Sequence, residues 1–146
     1  MIEVNPDLSP DVAERIAASF DRQTLMTTLG ARLTALGQGH CQIEAPLHPG
    51  GLQQQGFAHA GVTFALGDSA AGYAALTHVP PPEEIVTVEM KINLLAPALG
   101  PTLMAVGRVV RAGRRVLVVQ ADVYAGPDQR HVALMQGTMM PVPSGG

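Results

Sequence analysis

The stretch from Gln53 to Ala75 limits most strongly what this chain can fold into. It begins with a polar, glycine-containing turn, passes through His59, and continues as a long run of small and apolar residues. A helix of this composition is buried almost all round, so other elements have to cover it on every side. Asp68 is its only carboxylate, and burying an ionised carboxylate is costly unless the group is paired or hydrogen-bonded. Asp68 therefore calls for a structural or a chemical explanation.

His59 and Asp68 do not meet readily on one straight helix. Nine residues at about 100° each place them on roughly opposite faces, about 13 Å apart along the axis. A two-fold dimer with two such helices antiparallel would bring His59 of one chain to Asp68 of the other, and the site would occur twice. In the alternative interpretation, His59 only ends the preceding turn and Asp68 accepts hydrogen bonds from buried backbone.

The spacing of these residues favours the shared site. Counted from His59, Gly56 lies three positions before, Gln53 six before and Asp68 nine after. This pattern resembles the signature of hotdog-fold thioesterases of the PaaI-like (phenylacetate-pathway) family: Asn, two residues, Gly, two residues, His-Gly-Gly, then an Asp nine positions after the His. Gln53 stands where the family has Asn, and Ala60 stands where it has the first Gly. Gln still offers an amide, and Ala60 still offers a backbone N–H.

The resemblance continues in the segment from Val86 to Pro97. This segment is similar to the family's next strand, which ends in Ala-Pro or Ser-Pro and has a hydroxyl residue near its start, here Thr87. The similar regions cover most of the chain from about Gly30 onward. The resemblance implies an α+β hotdog fold, in which a curved antiparallel sheet wraps around the long central helix, as a single domain over residues 1–146.

The N-terminal residues 1–29 are predicted to form a helical arm. Ser9-Pro10-Asp11 is typical of a helix start, with a capping hydroxyl, a proline in the first turn and an acid near the positive end of the dipole. The helix should end between Leu25 and Gly30, since glycine commonly stops a helix. One packing face is expected to carry Val12, Ile16 and Phe20, with Ala13 and Ala17 beside them. We expect the arm to cover one end of the sheet or of a substrate channel.

The strands are predicted from alternation and from turn residues. Two short strands flank Gly37-Gln38-Gly39 between Ala31 and Ala45, and four more follow the central helix, at about 85–95, 103–111, 115–124 and 131–140. In the first of these four, one face should carry Val86, Val88, Met90, Ile92 and Leu94, and the other Thr87, Glu89, Lys91 and Asn93. One long apolar helix followed by four strands is an α+β pattern. Residues 141–146 are expected to form a flexible tail.

Composition excludes several classes of protein. A net charge of −3 argues against general affinity for nucleic acid. There is no charge-free apolar run of about 18 residues and no leader-like N-terminus, so we expect a soluble, cytoplasmic protein that does not enter membranes. Cys41 is the only cysteine, which excludes an intrachain disulfide, and the histidines lack metal-ligand spacing, so no metal is expected. A high apolar content with few aromatic residues predicts an oligomer.

The resemblance also implies an activity and assigns roles to individual residues. The activity is the hydrolysis of acyl-CoA thioesters with medium-chain aliphatic or aryl acyl groups, without a cofactor, because coenzyme A is part of the substrate. Gln53 would orient substrate or water, and His59 would assist at the carbonyl or sulfur side. Asp68 of the partner subunit would act as general base or nucleophile. Thr87 matches the hydroxyl that positions the water, although strict alternation places it on the polar face of its strand.

Backbone groups and arginines complete the expected site. The Ala60 N–H at the helix start is a natural polariser of the thioester carbonyl, and Gly56 and Gly61 would allow close backbone approach. Four of the nine basic residues lie within eight positions, at Arg108, Arg111, Arg114 and Arg115. The last three are candidates for holding the phosphates of coenzyme A, and a solvated hairpin end is an equally open interpretation.

Two other classes of function stay open at this point. A hotdog enoyl-CoA hydratase or dehydratase would call for a His about five residues after the Asp, and position 73 is Tyr. A non-catalytic acyl-CoA binding or sensing module would bind without turnover and usually carries a DNA-binding region, for which we expect no room here. A carboxylate facing the thioester would be costly and useless in a mere binder. The expected assembly is a homodimer, paired further into a dimer of dimers.

Overall fold

A seven-stranded sheet wraps around one long helix in the computed structural model, which describes residues 1–145. The elements in chain order are β1 (Glu3–Val4), α1 (Pro10–Asp21), α2 (Thr24–Thr28), β2 (Arg32–Gly37), β3 (His40–Pro46), a short 3-10 helix (Pro49–Gly51), α3 (Ala60–Leu76), β4 (Glu84–Leu94), β5 (Thr102–Ala112), β6 (Leu117–Ala125) and β7 (Arg130–Val142). The strand order is β1-β2-β3-β5-β6-β7-β4. The α+β class predicted from the order of elements is confirmed.

The sheet is antiparallel except at one edge. There β1 pairs parallel with β2 over two residues, with Glu3 opposite Ala35 and Val4 opposite Leu36. The sequence analysis did not predict β1, because a two-residue strand is too short to show alternation. The other predicted strands are confirmed within about two residues, and at the C-terminus residues 141–142, predicted as tail, belong to β7. The last residue of that predicted tail, Gly146, lies outside the described residues.

The central helix α3 packs closely against the sheet because small residues line both surfaces. Ala70 and Ala71 of α3 are fully buried, and β5 contributes Gly107 at the contact. A Cβ on Gly107 would lie 2.2 Å from the carbonyl carbon of Ala70, so only glycine leaves room for the helix backbone here. Most of the C-terminal half of α3 is buried, as its composition predicts, whereas one flank of the helix around Asp68 is only partly covered.

The N-terminal arm begins as predicted and ends differently. Ser9 caps α1, its side chain accepting a hydrogen bond from the Val12 N–H (3.4 Å), and Ile16 and Phe20 are buried. The prediction of one helix ending between residues 25 and 30 is wrong, because α1 stops at Asp21 and a second helix, α2, follows. Gln23 between them has extended backbone (φ −76°, ψ 95°), and its side chain hydrogen-bonds to residues of α3. That tertiary contact, which the local sequence does not show, accompanies the break.

The alternation predicted for β4 is wrong in its first half because the strand contains a β-bulge. Thr87 pairs with Met139, but the next paired residue is Glu89, opposite Thr138, so Val88 is the extra residue. The bulge reverses which side chains point inward. Val88 is 57% exposed, whereas Ile85, Met90 and Ile92 pack against the core, and Thr87 reaches α3. A period of two cannot reveal a one-residue insertion.

Two further features concern reactivity and membranes. Cys41 lies fully buried in β3, where desolvation raises the pKa of its thiol far above the usual range, so it stays protonated and unreactive. Across residues 1–145, no helix is long and apolar enough to cross a lipid bilayer.

Candidate active site

His59 forms the N-cap of α3. Its Nδ1 accepts a hydrogen bond from the Gly61 N–H at 2.8 Å. A nitrogen that accepts carries no hydrogen, so the neutral ring has its hydrogen on Nε2, where it can be donated to a ligand. A Cβ at Gly61 would lie 3.0 Å from Nδ1, so glycine at this position leaves room for the ring to pack against the helix start. The side chain is exposed, so a substrate can reach it.

The Ala60 N–H is the unused donor at the start of α3. The Gly61 N–H is bound to the His59 ring, and the N–H groups of Val62 and Thr63 donate to the His59 carbonyl at 3.0 and 3.4 Å. Among the hydrogen bonds of residues 1–145, none uses the Ala60 N–H. A free N–H at the positive end of a helix is a favourable place for an oxygen that gains negative charge.

Gln53 lies beside this helix start in the turn that precedes it. The Gly56 N–H donates to the Gln53 carbonyl at 3.0 Å, and Gly56 has φ +89°, a conformation that favours glycine. Space around a Cβ at Gly56 is open, so this glycine serves the turn itself. The side-chain oxygen of Gln53 accepts from the Gln55 N–H, which ties the amide to the turn. A cavity of about 500 Å³ has Gln53, His59 and Ala60 in its wall.

Apolar residues from the end of β4 and the following segment form much of the rest of the wall of this cavity. They are Leu94, Leu95, Ala96, Pro97 and Ala98. The motif that carries the resemblance and the end of the Ala-Pro strand therefore line the same cavity.

Asp68 lies on the partly covered flank of α3, half-buried, beside the start of β4. Thr87 Oγ1 donates a hydrogen bond to Asp68 Oδ1 at 2.8 Å. Both residues line a second cavity of about 170 Å³, with Gly72 and Ile85. The partner of the Asp68 carboxylate in this chain is thus a side chain rather than buried backbone, and the bulge in β4 is what turns Thr87 toward it.

The predicted site residues fall into two groups that lie apart. Gln53, His59 and Ala60 share one cavity, Asp68 and Thr87 share the other, and the linings of the two cavities have no residue in common. The separation of nine positions between His59 and Asp68 explains this, since α3 is continuous from Ala60 to Leu76. One chain therefore presents two half-sites.

The arginines predicted to bind phosphate line neither half-site. Arg111 lies near the end of β5, and Arg114 and Arg115 lie in the turn before β6, all exposed. Ala112 is in register with Leu117, Leu117 with Met139, and Met139 with Thr87, so this turn is at the Thr87 end of the sheet. Three strand spacings, about 14 Å, separate Ala112 at this turn from Thr87.

Arg108 differs from these three arginines, because it forms an ion pair with Asp122 and donates to Gln120 Oε1 at 2.9 Å.

Comparison with known proteins decides the family. Residues 55–131 match the sequence profile of the Thioesterase superfamily. The chain belongs to this superfamily. A solved thioesterase family protein from Silicibacter pomeroyi is 38% identical, with a TM-score of 0.88 over 91% of this chain and 99% of its own. A protein of Halobacterium salinarum that bears the name of an esterase is 29% identical over 127 residues, 81% of each chain.

The same fold is found in the PaaI protein of E. coli, from the phenylacetic acid degradation operon. That structure is 22% identical and superposes with a TM-score of 0.84 over 92% of this chain and 96% of its own. The resemblance to hotdog-fold thioesterases is therefore confirmed, and so is the hotdog fold with its sheet wrapped around a long helix. Superfamily membership and the esterase name support hydrolysis of a thioester in general terms.

The thioesterase has polar residues in the Asp68 cavity that the sequence analysis missed. They are Ser19, Gln23, Ser69 and Tyr73. Ser69 and Tyr73 follow Asp68 by one and five positions on α3, which is not the spacing of three or four residues that marks one helix face. No local pattern marks Ser19 and Gln23, because they reach the cavity only through the docking of the N-terminal arm. Burial raises the pKa of Tyr73, an effect that hydrogen bonds from Ser19 and Gln23 partly offset, so its hydroxyl stays protonated.

No three His, Cys, Asp or Glu side chains of residues 1–145 come together as a metal site would require. The expectation that the thioesterase needs no metal rests on its sequence.

Proposed function

We propose that this thioesterase hydrolyses acyl-CoA esters to the free acid and coenzyme A, in the cytoplasm and without a cofactor, at sites shared across a homodimer. The acyl groups are medium-chain aliphatic or aryl. The observation that carries the proposal is the division of the candidate residues into two half-sites. One offers hydrogen-bond donors at a helix start, from Ala60 and His59, and the other offers the carboxylate of Asp68 held by Thr87.

The edge strand β4 supports a dimer that would join the half-sites. It is 11 residues long and ends the sheet among the described residues, and it exposes Val86, Val88 and Leu94 by 43%, 57% and 57%. A long, apolar, unpaired edge is a template for pairing with another strand. Pairing two copies of β4 about a two-fold axis makes one continuous sheet, with the two strands antiparallel.

Such pairing sets the start of one β4 against the end of the other. Thr87 at the start holds Asp68, and Leu94 at the end lines the cavity of His59. The carboxylate of one subunit thereby approaches His59 of the partner subunit, twice per dimer. Pairing of dimers into a dimer of dimers is part of the proposal, with the outer face of the sheet available for it.

The chemistry of the joined site follows from the donors and the carboxylate. The thioester carbonyl oxygen accepts from the Ala60 N–H and gains negative charge as the carbon is attacked. Asp68 of the partner subunit either takes a proton from the attacking water or attacks directly, and Thr87 holds Oδ1 so that Oδ2 faces the carbon. The carbon–sulfur bond then breaks, and the His59 Nε2–H lies where it can stabilise the carbonyl oxygen or the leaving sulfur. Water supplies the oxygen of the acid and the proton of the thiol.

The arginines of the β5–β6 turn are proposed to hold the phosphates of coenzyme A. Arg111, Arg114 and Arg115 are exposed, and in residues 1–145 none of them has an ion-pair partner. Arg108 is left out of this role because Asp122 already neutralises it. Free guanidinium groups at one end of the sheet suit a long, anionic leaving group.

Release of free thiol from acyl-CoA esters tests the activity. The panel contains aliphatic esters from short to long together with phenylacetyl and benzoyl esters, and Asp68→Asn is measured beside the wild type. Turnover is expected to fall at least about a hundredfold in Asp68→Asn, because the amide neither takes a proton nor attacks. Asp128→Asn, an exposed carboxylate in the β6–β7 turn, is the matched control and should keep full activity. Binding of esters without release would instead show a sensing module.

A further inference from the structure

Arg15 of α1 joins the N-terminal arm to the connection between α3 and β4. Its Nη1 donates a hydrogen bond to the Val79 carbonyl at 2.7 Å, and its Nη2 donates to the Glu83 carbonyl. The side chain is half-buried, and none of the ion pairs within residues 1–145 includes it. A guanidinium that donates from two nitrogens of its planar fork is held in one orientation. Arg15 is therefore a fixed link between elements and not a solvated surface charge.

The two carbonyls lie at opposite ends of a short connection. Val79 comes three residues after the last residue of α3, and Glu83 comes directly before β4. The residues between them are three prolines, which have no N–H to donate. Within residues 79–83 one backbone hydrogen bond forms, from the Glu83 N–H to the Pro80 carbonyl at 3.2 Å. The connection thus has little hydrogen bonding of its own, and Arg15 supplies two bonds across it.

The elements at the two ends of this connection meet again at the candidate site. Asp68 belongs to α3, and Thr87, which donates to its Oδ1, is the fourth residue of β4. Among residues 1–145, β4 pairs with β7 alone, so one side of the strand has no neighbouring strand to hold it. A link between the end of α3 and the start of β4 therefore limits how far Thr87 can move relative to Asp68.

One face of the N-terminal arm supports the Asp68 half-site along its length. Arg15 and Ser19 of α1 and Gln23 just beyond it follow one another at intervals of four residues, the spacing of one helix face. Ser19 Oγ lies 3.4 Å from Tyr73 Oη, and Gln23 Nε2 donates to the same oxygen at 3.0 Å. Ser19 and Gln23 thus hold the arm to α3, and Arg15, one turn earlier, holds it to the connection that leads into β4.

We propose that Arg15 is a positioning residue for the hydrolysis, which holds the start of β4 against the end of α3 and so keeps Thr87 in place to orient the carboxylate of Asp68. The inference rests on the proposed function and adds to it a residue that lines neither half-site. The effect of Arg15 on turnover passes through Thr87. Misplacing a catalytic group by about 1 Å can cost up to about a hundredfold in rate, so a loosened β4 is enough to slow the reaction.

A double-mutant cycle tests whether Arg15 acts through Thr87, with the acyl-CoA ester that the wild type hydrolyses fastest. Arg15→Gln removes the charge and the fork, Thr87→Val removes the hydrogen bond to Asp68, and a third chain carries both changes. In Arg15→Gln, kcat is expected to fall at least about fivefold while KM stays within about twofold, because Arg15 contacts neither cavity. The double variant should be no slower than Thr87→Val alone, since the contact through which Arg15 acts is already gone.

Two further variants complete the experiment. Arg22→Gln is the matched control, because the Arg22 side chain is exposed and donates to the Ala18 carbonyl of its own helix at 3.0 Å. It should keep the kcat and KM of the wild type. Arg15→Lys guards against misfolding of Arg15→Gln, because lysine keeps the charge and the apolar stem but lacks the planar fork. It should lower kcat at least about twofold, again with no further fall when Thr87→Val is added. Sedimentation should show every variant to be dimeric.

The outcomes separate this inference from the proposed function. A wild-type kcat in both Arg15 variants or in Thr87→Val, a change confined to KM, or losses that multiply in the double variant would show that Arg15 does not act through Thr87. Loss of the dimer in an Arg15 variant also contradicts the inference, because turnover would then fall through the interface. Absence of thiol release from every ester, or full activity in Asp68→Asn, contradicts the proposed function itself, and the inference falls with it.

Discussion

His59 has two roles that can be separated, one for each of its ring nitrogens. Nδ1 caps α3 through the Gly61 N–H, and Nε2 carries the hydrogen that the ring can donate to a ligand. Asparagine is among the best N-cap residues, and its shorter side chain can replace the cap without reaching the substrate. The two tasks can therefore be removed one at a time.

We predict that His59→Asn keeps the melting temperature close to that of the wild type and lowers kcat/KM at least about tenfold. His59→Ala should lose activity to a similar degree and also about 1 kcal/mol of stability, because the cap is gone. Thermal unfolding and thiol release measured on the same samples check both values. Full activity in His59→Asn would show that Nε2 takes no part in the reaction.

Individual residues show where reasoning from sequence succeeds and where it stops. The motif spacing picked out Asp68, His59 and Gln53, because these positions are set by one turn and one helix that are continuous in the chain. The alternation of β4 put Thr87 on the polar face of its strand, whereas the bulge turns its hydroxyl toward Asp68 of α3. Gln23 was missed, because its contact with Tyr73 joins segments 50 residues apart.

At the scale of elements, the contact between α3 and β5 depends on the absence of a side chain. Gly107 faces the backbone of Ala70, with only 2.2 Å between an added Cβ and the carbonyl carbon. The same helix, held close to the sheet by this contact, presents Asp68 to Thr87 of the edge strand β4, three strands away from β5. The position of one half-site depends on this packing.

Gly107→Ala is predicted to destabilise the protein by about 3 kcal/mol, because helix and strand must move apart. Gly72→Ala is the matched control in α3. Its Cβ would lie 3.9 Å from the side chain of Met139, an ordinary contact, so the change should be neutral or should stabilise the helix by up to about 1 kcal/mol. Denaturant unfolding of the two variants should give opposite signs. Equal stability of both would contradict the close packing described here.

The order of elements was predictable, and their irregularities were not. The continuous run of small and apolar residues located α3, and the alternation of apolar and polar residues located the long strands. The bulge at Val88, the break at Gln23 and the parallel strand β1 arise from contacts between distant segments, which leave no periodic signal. Two of these three irregularities, the bulge and the break, bring residues to the Asp68 cavity.

At the scale of the whole molecule, the account depends on β4 as an interface. Val86→Lys combined with Val88→Lys is expected to give a monomer in sedimentation, because the two-fold axis places like charges close together on a formerly apolar edge. Thiol release should be lost with the dimer. Val110→Lys with Val116→Lys, two valines of similar exposure beside the β5–β6 turn, should leave the dimer intact. A β4 variant that stays dimeric would place the interface elsewhere.

The shared site is the central claim, and mixed dimers test it most directly. His59→Ala and Asp68→Asn chains are co-expressed with different affinity tags, and the heterodimer is purified through both. Each homodimer should be nearly inactive, but the heterodimer combines the intact His59 of one chain with the intact Asp68 of the other in one of its two sites. It should therefore recover about half of the wild-type turnover per dimer. A heterodimer as inactive as both parents would show that each site lies within one chain.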